Sequence, residues 1–463
     1  MIADLKPYPT MKDSGVPWLG KVPEHWEVLP NRAIFDEVKE RDYPEEQMLS
    51  VTITKGVIRQ QALLADSSKK DSSNQDRSAY KFVRPGDIAY NKMRAWQGAV
   101  GASEYQGIVS PAYVVQRPRG IADSHYFHHL LRTPAFAKEA ERWSYGITSD
   151  MWSLRPEHFK VIYSCVPPLT EQSAIVRFLD HADRRIRRYI HAKQKLIKLL
   201  DEQKQAIIHR AITRGLDPNV RLKPSGVEWL GDVPEHWTIG RIKTEMHNLN
   251  TRRVPLSGPD RGRMTSRQYD YYGASGVIDK VDEYLFDDEL LLIAEDGANL
   301  VLRNLPLAII AKGKFWVNNH AHILKPRRGS LDYFAALLEG IDYVQWITGA
   351  AQPKLTQDRL MAIPIPVPPE AEQMVIVAWI QHNTSHLQAT IVRARKEINL
   401  LREYRTRLIA DVVTGKLDVR EAAAKLPDEM GESELLDEAE TPMEGDEETE
   451  ISTPDDISEE AEA

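Results

Sequence analysis

Residues Ser14–Val28 read SGVPWLGKVPEHWEV, and residues Ser225–Ile239 read SGVEWLGDVPEHWTI. The copies lie 211 positions apart, far beyond the roughly 20–50 residue period of a solenoid. A domain-sized unit has therefore been duplicated, which suits a chain of 463 residues, too long for one hydrophobic core. A second motif repeats with the box. Val166-Pro-Pro-Leu-Thr-Glu171-Gln172 returns 201 positions later as Val367-Pro-Pro-Glu-Ala-Glu372-Gln373. Each copy thus runs from the box through a variable stretch to Val-Pro-Pro, a long amphipathic segment and Leu-Asp. The first variable stretch is the longer by ten residues.

The segments after Val-Pro-Pro predict helices, because neither Pro nor Gly interrupts Glu171–Thr213 or Ala371–Thr414 and good helix formers dominate them. In the first, Ile175, Leu179, Ala182, Ile186, Tyr189, Leu196, Leu200 and Ile207 follow 4-3 spacing, with Lys193 and Gln203 as polar interruptions. Such a heptad stripe asks for a partner helix. In the second, Leu387, Ile391, Ala394, Ile398, Leu401, Leu408 and Val412 hold a register that slips near Asn383, as a stutter does. Two such helices in one duplicated chain predict mutual pairing. Each spans roughly 60 Å for about 40 residues.

The variable stretches read as mixed α/β. Arg84-Pro-Gly-Asp-Ile-Ala-Tyr predicts a turn leading into a strand, and Gly107-Ile-Val-Ser-Pro-Ala-Tyr-Val-Val a second strand. In the second copy Tyr284-Leu-Phe, Leu290-Leu-Leu-Ile-Ala and Ala321-His-Ile-Leu predict strands. Asp123–Ala140 and Leu331–Ile347 predict helices. The pattern does not fix the order of the strands.

The formal charge of −8 conceals an asymmetry. From Glu421 onward there are 18 acidic residues and one lysine, a net −17, which leaves +9 on residues 1–420. A basic body points to a polyanionic partner. The tail is expected to be disordered and either to keep the protein soluble or to compete for the basic face. No apolar run is long enough to span a bilayer and the N-terminus does not read as a signal peptide. The single cysteine, Cys165, fits a reducing compartment. A cytoplasmic protein without membrane contact is expected.

Catalytic constellations are not evident. The chain has no Gly-x-Gly, no Gly-Lys-Ser/Thr and no Asn/Asp-Pro-Pro-Tyr/Phe with which an adenine methyltransferase holds its base. Glu37-Val-Lys39 and Glu202-Gln-Lys204 are better explained by chance than as a nuclease's carboxylate and lysine. His128-His129 and His320-x-His322 read as satisfied polar histidines, since no cysteine or further ligand set stands at metal spacing. Glu24-His25 and Glu235-His236, bracketed by Val and Trp, read as a packing box that anchors each copy near the helix ends. No catalytic or metal-binding residue is expected.

What remains is polar and cationic loops beside predicted strands. Lys92, Arg94 and Gln97 fall in Asn91-Lys-Met-Arg-Ala-Trp-Gln97. Arg142–Ser149 forms another such loop. The second copy offers Arg267 and Gln268 in Ser266–Ser275, Asn318 in Lys314–His320, and Lys354 in Gln352-Pro-Lys354. Arg and Lys suit guanine edges, Asn and Gln suit adenine, and all of them can hold phosphates. These seven residues are the candidate DNA contacts, with Lys92 and Lys354 as readily phosphate contacts as base readers.

Taken together, the box, the run NKMRAWQGAVG…GIVSPAY (Asn91–Tyr113), YYGASGVID…LLIAEDGAN…KGKFWVNNHAH (Tyr271–His322) and AAQPKLTQDRLMAIPIPVPPEAEQ (Ala350–Gln373) resemble the specificity (S) subunits of type I restriction–modification systems. The resemblance covers about residues 11–420. The first copy departs from it at Ile147–Leu154, and the acidic tail lies outside it.

The resemblance implies an α+β chain with a defined order. A target-recognition domain at 1–165 with box 14–28 precedes a spacer helix at 166–217. A second recognition domain at 218–366 with box 225–239 precedes a second helix at 367–420, and a disordered acidic tail fills 421–463. It implies a non-catalytic subunit that binds no cofactor itself and reads a bipartite site on double-stranded DNA, with the paired helices setting the gap. Two modification subunits with S-adenosylmethionine and adenine-N6 chemistry would dock on it, as would restriction subunits with ATP and Mg. The alternative from the residues alone is a non-catalytic coiled-coil scaffold for protein partners.

Overall fold

The structure, a computed structural model, describes residues 5–65, 77–146, 151–349 and 353–427. The tail from 428 and the loop residues 147–150 and 350–352 therefore lie outside the described residues. The chain divides into two compact units, Met1–Lys193 with Lys396–Ala463, and Gln194–Arg395. The second unit is one continuous stretch, whereas the first is closed by both ends of the chain. Within the first unit the backbone of Lys6 bridges that of Asp418, and the Arg420 guanidinium lies 5.0 Å from the centre of the Tyr8 ring.

Two long helices, Leu169–Arg214 and Glu370–Val413, each begin in one unit and end in the other. Within each unit their segments pair antiparallel. In the first unit Lys193 meets Glu397 at 2.7 Å and Asp183 meets Arg405; in the second, Lys204 donates to Gln388 at 2.7 Å. Their buried faces correct the simple heptad. Ile190 is 1% exposed whereas Tyr189, expected in the stripe, is 55% exposed, and Leu196 also faces outward. The seam steps through Ile175, Leu179, Ala182, Ile186 and Ile190, then through Lys193, Ile197, Leu200, Lys204, Ile207 and Ala211. In the other helix it steps through Ile376, Ile380, Thr384, Leu387 and Ile391, then regularly to Val412. Each helix thus spends 15 residues, not 14, on its first four turns (Ile175 to Ile190, Ile376 to Ile391). That interval locally relaxes a left-handed supercoil.

Each unit carries the same frame. Its box forms a short hairpin, Met11–Asp13 with Lys21–Pro23 and Leu222–Pro224 with Asp232–Pro234. The strand after the box pairs with the strand before the long helix: Glu27–Pro30 with Tyr163–Val166, and Thr238–Arg241 with Pro364–Val367. The repeated motifs therefore meet each other. Trp26 is fully buried and donates to Glu171 at 3.0 Å, while His25 lies 2.8 Å from the same carboxylate. His236 takes the same position against Glu372 at 2.8 Å.

The first unit's sheet has the order Phe35–Val38, Tyr113–Pro118, Ile88–Asn91, Val100–Ala102. The second's has six strands: Met246–Asn248, Ala321–Pro326, Phe286–Ala294, Ala308–Val317, Tyr269–Gly273 and Gly276–Val281. The stretch Gly107–Val115 is not one strand, because a turn at Ser110–Ala112 sends Gly107–Val109 to pair with Lys81–Val83 instead. The predicted helix 123–140 is broken at Thr133, whose hydroxyl caps a second helix, Pro134–Arg142. Residues 421–427, expected to open the disordered tail, are packed: Ala423 and Leu426 are buried, as is Val419 in the first core. Among the described residues no helix is long and apolar enough to cross a membrane.

Candidate nucleic-acid interface

In the first unit the strand Ile88–Asn91 ends in a turn that holds Lys92, Arg94 and Gln97 together. Asn91 pairs with Tyr113, and its side-chain oxygen accepts the Met93 amide at 3.0 Å, which starts the turn. A short 3-10 turn, Ala95–Gln97, ends on Gly98 at φ 97°, a left-handed conformation that glycine adopts without cost. Arg94 Nη1 donates to Gln97 Oε1 at 3.3 Å, and Trp96 Nε1 donates to the Met93 carbonyl at 2.9 Å. The Trp96 ring meets Trp152 edge-on at 5.6 Å. All three candidates are half-buried. The Lys92 carbonyl accepts the Leu154 amide at 2.9 Å, so the segment before the helix Pro156–Val161 is stitched to the turn.

Lys81 adds charge that Lys92 feels. Its ammonium donates to the carbonyls of Pro111 and Tyr113. Burial, with repulsion from Lys92 second, pushes its pKa down to about 8.

In the second unit the same place is built with opposite charge. The strand Phe286–Ala294 ends at Glu295, whose carbonyl accepts the Leu355 amide at 2.8 Å, as Lys92 accepts Leu154. The backbone of Lys354 bridges Thr348 as that of Ser153 bridges Tyr145. Glu295 therefore stands where the first unit has Lys92, and Lys354 where it has Ser153. Burial raises the Glu295 pKa, but Arg253 at 2.6 Å and Lys354 at 3.3 Å outweigh it and hold the carboxyl below its usual range.

Asn318 and His320 close this cluster. Asn318 is 5% exposed, and its side-chain oxygen accepts the His320 amide at 2.8 Å. His320 Nδ1 lies 2.8 Å from Asp296, and the Glu295 amide donates to the His320 carbonyl at 2.9 Å. His322, fully buried, receives Asn250 Nδ2 at 2.9 Å and donates from Nε2 to the Leu355 carbonyl at 2.7 Å. Burial lowers its pKa and favours the neutral ring.

The structure thus brings Asn318 and Lys354 together and leaves Arg267 and Gln268 apart from them. Asn318 follows the far end of the strand Tyr269–Gly273, its amide donating to the Tyr272 carbonyl at 3.0 Å, while Arg267 and Gln268 precede that strand. Arg267 sits at φ 43°, a strained backbone for a residue with a side chain, held because its amide donates to Asp282 at 2.6 Å. Its guanidinium is 3.5 Å from Asp279, and Gln268 is exposed.

Residue types alone did not mark Trp152, Ser153, Arg253, Glu295 or Asp296 as part of these loops. The 201-residue offset could have marked Ser153, since it superposes that residue on Lys354.

Comparison with known proteins agrees with this architecture. Residues 234–398 match the family model of the type I restriction modification DNA specificity domain, so the match falls almost wholly within the second unit and includes the part of the second long helix that begins there. A protein of Haemophilus influenzae named as type I restriction enzyme specificity subunit S.HindORF215P is 35% identical over 131 residues, 28% of this chain and 32% of that protein. A protein of Methanocaldococcus jannaschii named as the type I restriction enzyme MjaX specificity subunit is 20% identical over 434 residues, 87% of this chain and 96% of its own. A chain from a solved structure on complex assembly and conformational transition of the type I R-M system shares the fold. Its TM-score is 0.60 at 15% identity, covering 86% of this chain and 99% of that one.

Proposed function

The chain belongs to the family of type I restriction–modification specificity subunits, and from that premise we propose that it reads a bipartite site on double-stranded DNA, one half with each unit. The observation that carries this reading is a single loop architecture used twice with different chemistry. Lys92, Arg94 and Gln97 occupy it in the first unit; Glu295, Asp296, His320 and Lys354 occupy it in the second. A common scaffold with exchanged donors and acceptors is what reading two different half-sites requires. Arg267 and Gln268 form a second contact in the second unit. Asn318, folded back onto the His320 amide, shapes the loop and presents its remaining amide group.

In this reading the chain supplies recognition and no chemistry. Two modification subunits dock on the long helices and bring S-adenosylmethionine for adenine-N6 methylation, and restriction subunits bring ATP- and Mg-dependent translocation and cleavage. The target base leaves the duplex for a partner's pocket. The paired helices set the gap between half-sites, and one turn of duplex, ~34 Å, is the natural unit of that gap.

The test is methylation-aware sequencing of DNA from cells that carry the chain with its modification subunits. A bipartite methylated motif is expected. Inserting four residues beside Lys193 should change its gap and leave both half-sites intact, because four residues enter a coiled coil as a stutter. An unchanged gap in that variant, or a motif without a gap, overturns the reading.

A further inference from the structure

The hairpin at the edge of the second unit's sheet carries an aliphatic tip that the proposed DNA contacts leave unused. Its strands, Tyr269–Gly273 and Gly276–Val281, pair antiparallel with a bulge: Tyr272 faces Val277 and Tyr271 faces Asp279, so Ile278 has no partner across. A bulge at a sheet edge re-aims the extra side chain. Ile278 is 52% exposed and Val277 beside it 50% exposed. The next two residues are charged and engaged, Asp279 with Arg261 at 3.0 Å and Lys280 with Asp270 at 2.7 Å. The apolar surface of this strand is therefore two side chains, far too little for a protein partner, which needs about 800 Å² on each side.

The tip lies against Asn318, in the loop that leads to His320. The Asn318 amide donates to the Tyr272 carbonyl at 3.0 Å, and Gly273 lets the two side chains approach. A Cβ at Gly273 would stand 2.9 Å from Ile278 Cδ1 and 3.3 Å from Asn318 Nδ2, so these two atoms lie within about 6 Å of each other. Asn318 Oδ1 accepts the His320 amide, which fixes the other end of the side chain as the donor. That donor, Nδ2, has no acceptor among the described residues, although the side chain is buried. Folded proteins pair nearly all their buried donors, so this one is held for an acceptor that the chain does not supply.

A methyl group and an N–H donor side by side have one complement among the base edges of the major groove. Thymine presents a methyl group at C5 next to an acceptor, O4. Cytosine puts an amino donor in the acceptor's place, and adenine and guanine present no methyl group. We infer that Ile278 and Asn318 together read one thymine of the second half-site, Ile278 packing on its C5 methyl and Asn318 Nδ2 donating to its O4. The inference rests on the second unit's reading of DNA and adds the base that this corner of it selects. The bonds to Tyr272 and His320 hold the donor in place before DNA arrives, which spares part of the ordering cost of binding.

The test uses the full chain with its modification subunits, on duplexes carrying the methylated motif. Each thymine of both halves is replaced singly by deoxyuracil, which lacks only the methyl group. At one thymine binding should weaken about fourfold, the effect of one buried methyl group. Ile278→Ala should bind the thymine and uracil duplexes alike at that position and leave every other uracil effect unchanged. Its hold on the uracil duplex, equal to that of the natural chain, shows that the variant is folded. At the same position 5-methylcytosine opposite guanine keeps the methyl group but replaces the acceptor by a donor, and should cost at least about tenfold.

Half-sites without a uracil-sensitive thymine, a sensitivity that survives Ile278→Ala, or full binding to the 5-methylcytosine duplex overturns the inference. A bipartite motif found with any of these results leaves the two-unit reading standing, whereas a motif without a gap removes that reading itself.

Discussion

The two units close their bases with the same residues and to different depths. In the first, Glu171 is 5% exposed and accepts from the Tyr8 hydroxyl, from Trp26 Nε1 at 3.0 Å and from His25 at 2.8 Å. In the second, Glu372 is 28% exposed and meets His236, while Trp237 Nε1 has no acceptor among the described residues. The position equivalent to Tyr8 is Asn219, so the second box lacks the phenol that completes the first. Burial and the Glu171 carboxylate beside it push the Tyr8 pKa up, so its proton stays in the hydrogen bond. Duplication copied the motif, but the first unit, closed by both chain ends, buried it more deeply.

That difference sets the largest expected effect. Glu171→Ala strands two buried donors and should destabilise the first unit by about 2–6 kcal/mol, at roughly 1–3 kcal/mol for each unsatisfied buried group. Glu372→Ala removes one partly solvated partner and should cost less than about 1 kcal/mol. Urea unfolding of both variants decides between them. Equal losses would mean that the second box is as tightly built as the first.

The glycines that end the long helices sharpen the same comparison. Gly415 and Gly215 lie at φ 75° and 71°, in the left-handed region. Each should lose roughly 1–2 kcal/mol on replacement by Ala from the backbone alone. At Gly415 a Cβ would also stand 2.3 Å from Pro23 Cδ and 3.0 Å from the Trp26 ring, whereas at Gly215 its nearest neighbour is the Trp237 ring at 3.3 Å. Gly415→Ala should therefore lower the unfolding midpoint further than Gly215→Ala. The reverse order would place the tighter base in the second unit.

Much of the frame was legible because it is written twice. The box, Val-Pro-Pro and the long helices each carry a local signal: turn residues, a helix start, an apolar period. The stripe was misplaced at Tyr189 because a strict heptad extrapolates past Ile186, and only the partner helix shows that the seam takes four residues there to reach Ile190. The loops were legible by composition and not by geometry. Arg94 and Gln97 share a turn because Asn91 starts it, a local fact. The burial of Asn318 was not legible in its residue type, because the fold of its own loop claims its side-chain oxygen. The pairing of Lys354 with Glu295 joins residues 59 positions apart and has no local signature.

Where side chains touch base edges, the effects become smaller and position-specific. Arg94→Ala in the first unit and Gln268→Ala in the second should each cost about 1–3 kcal/mol on the cognate site. Each should relax one position, in one half of the methylated motif only. Relaxation in both halves from either change would mean that the units do not read separately. If neither change alters cognate or non-cognate affinity, the reading surface lies elsewhere on these units.

The smallest effects concern phosphate contact, where the swapped charges make the two units unequal. Lys92 stands in a turn with Arg94 and beside Lys81, a cationic setting. Lys92→Ala should weaken all sequences alike and lower the slope of log affinity against log salt by about one unit. Lys354 must leave Glu295, 3.3 Å away, before it can serve a phosphate. Lys354→Ala should therefore lower the slope by clearly less than one unit. The converse change is more telling. Glu295→Gln keeps an oxygen to accept from Arg253 but releases Lys354 from its counter-charge, so non-specific affinity and the salt slope should both rise. A fall in both would mean that the Glu295 carboxylate holds the loop in its binding shape, and that its charge is structural.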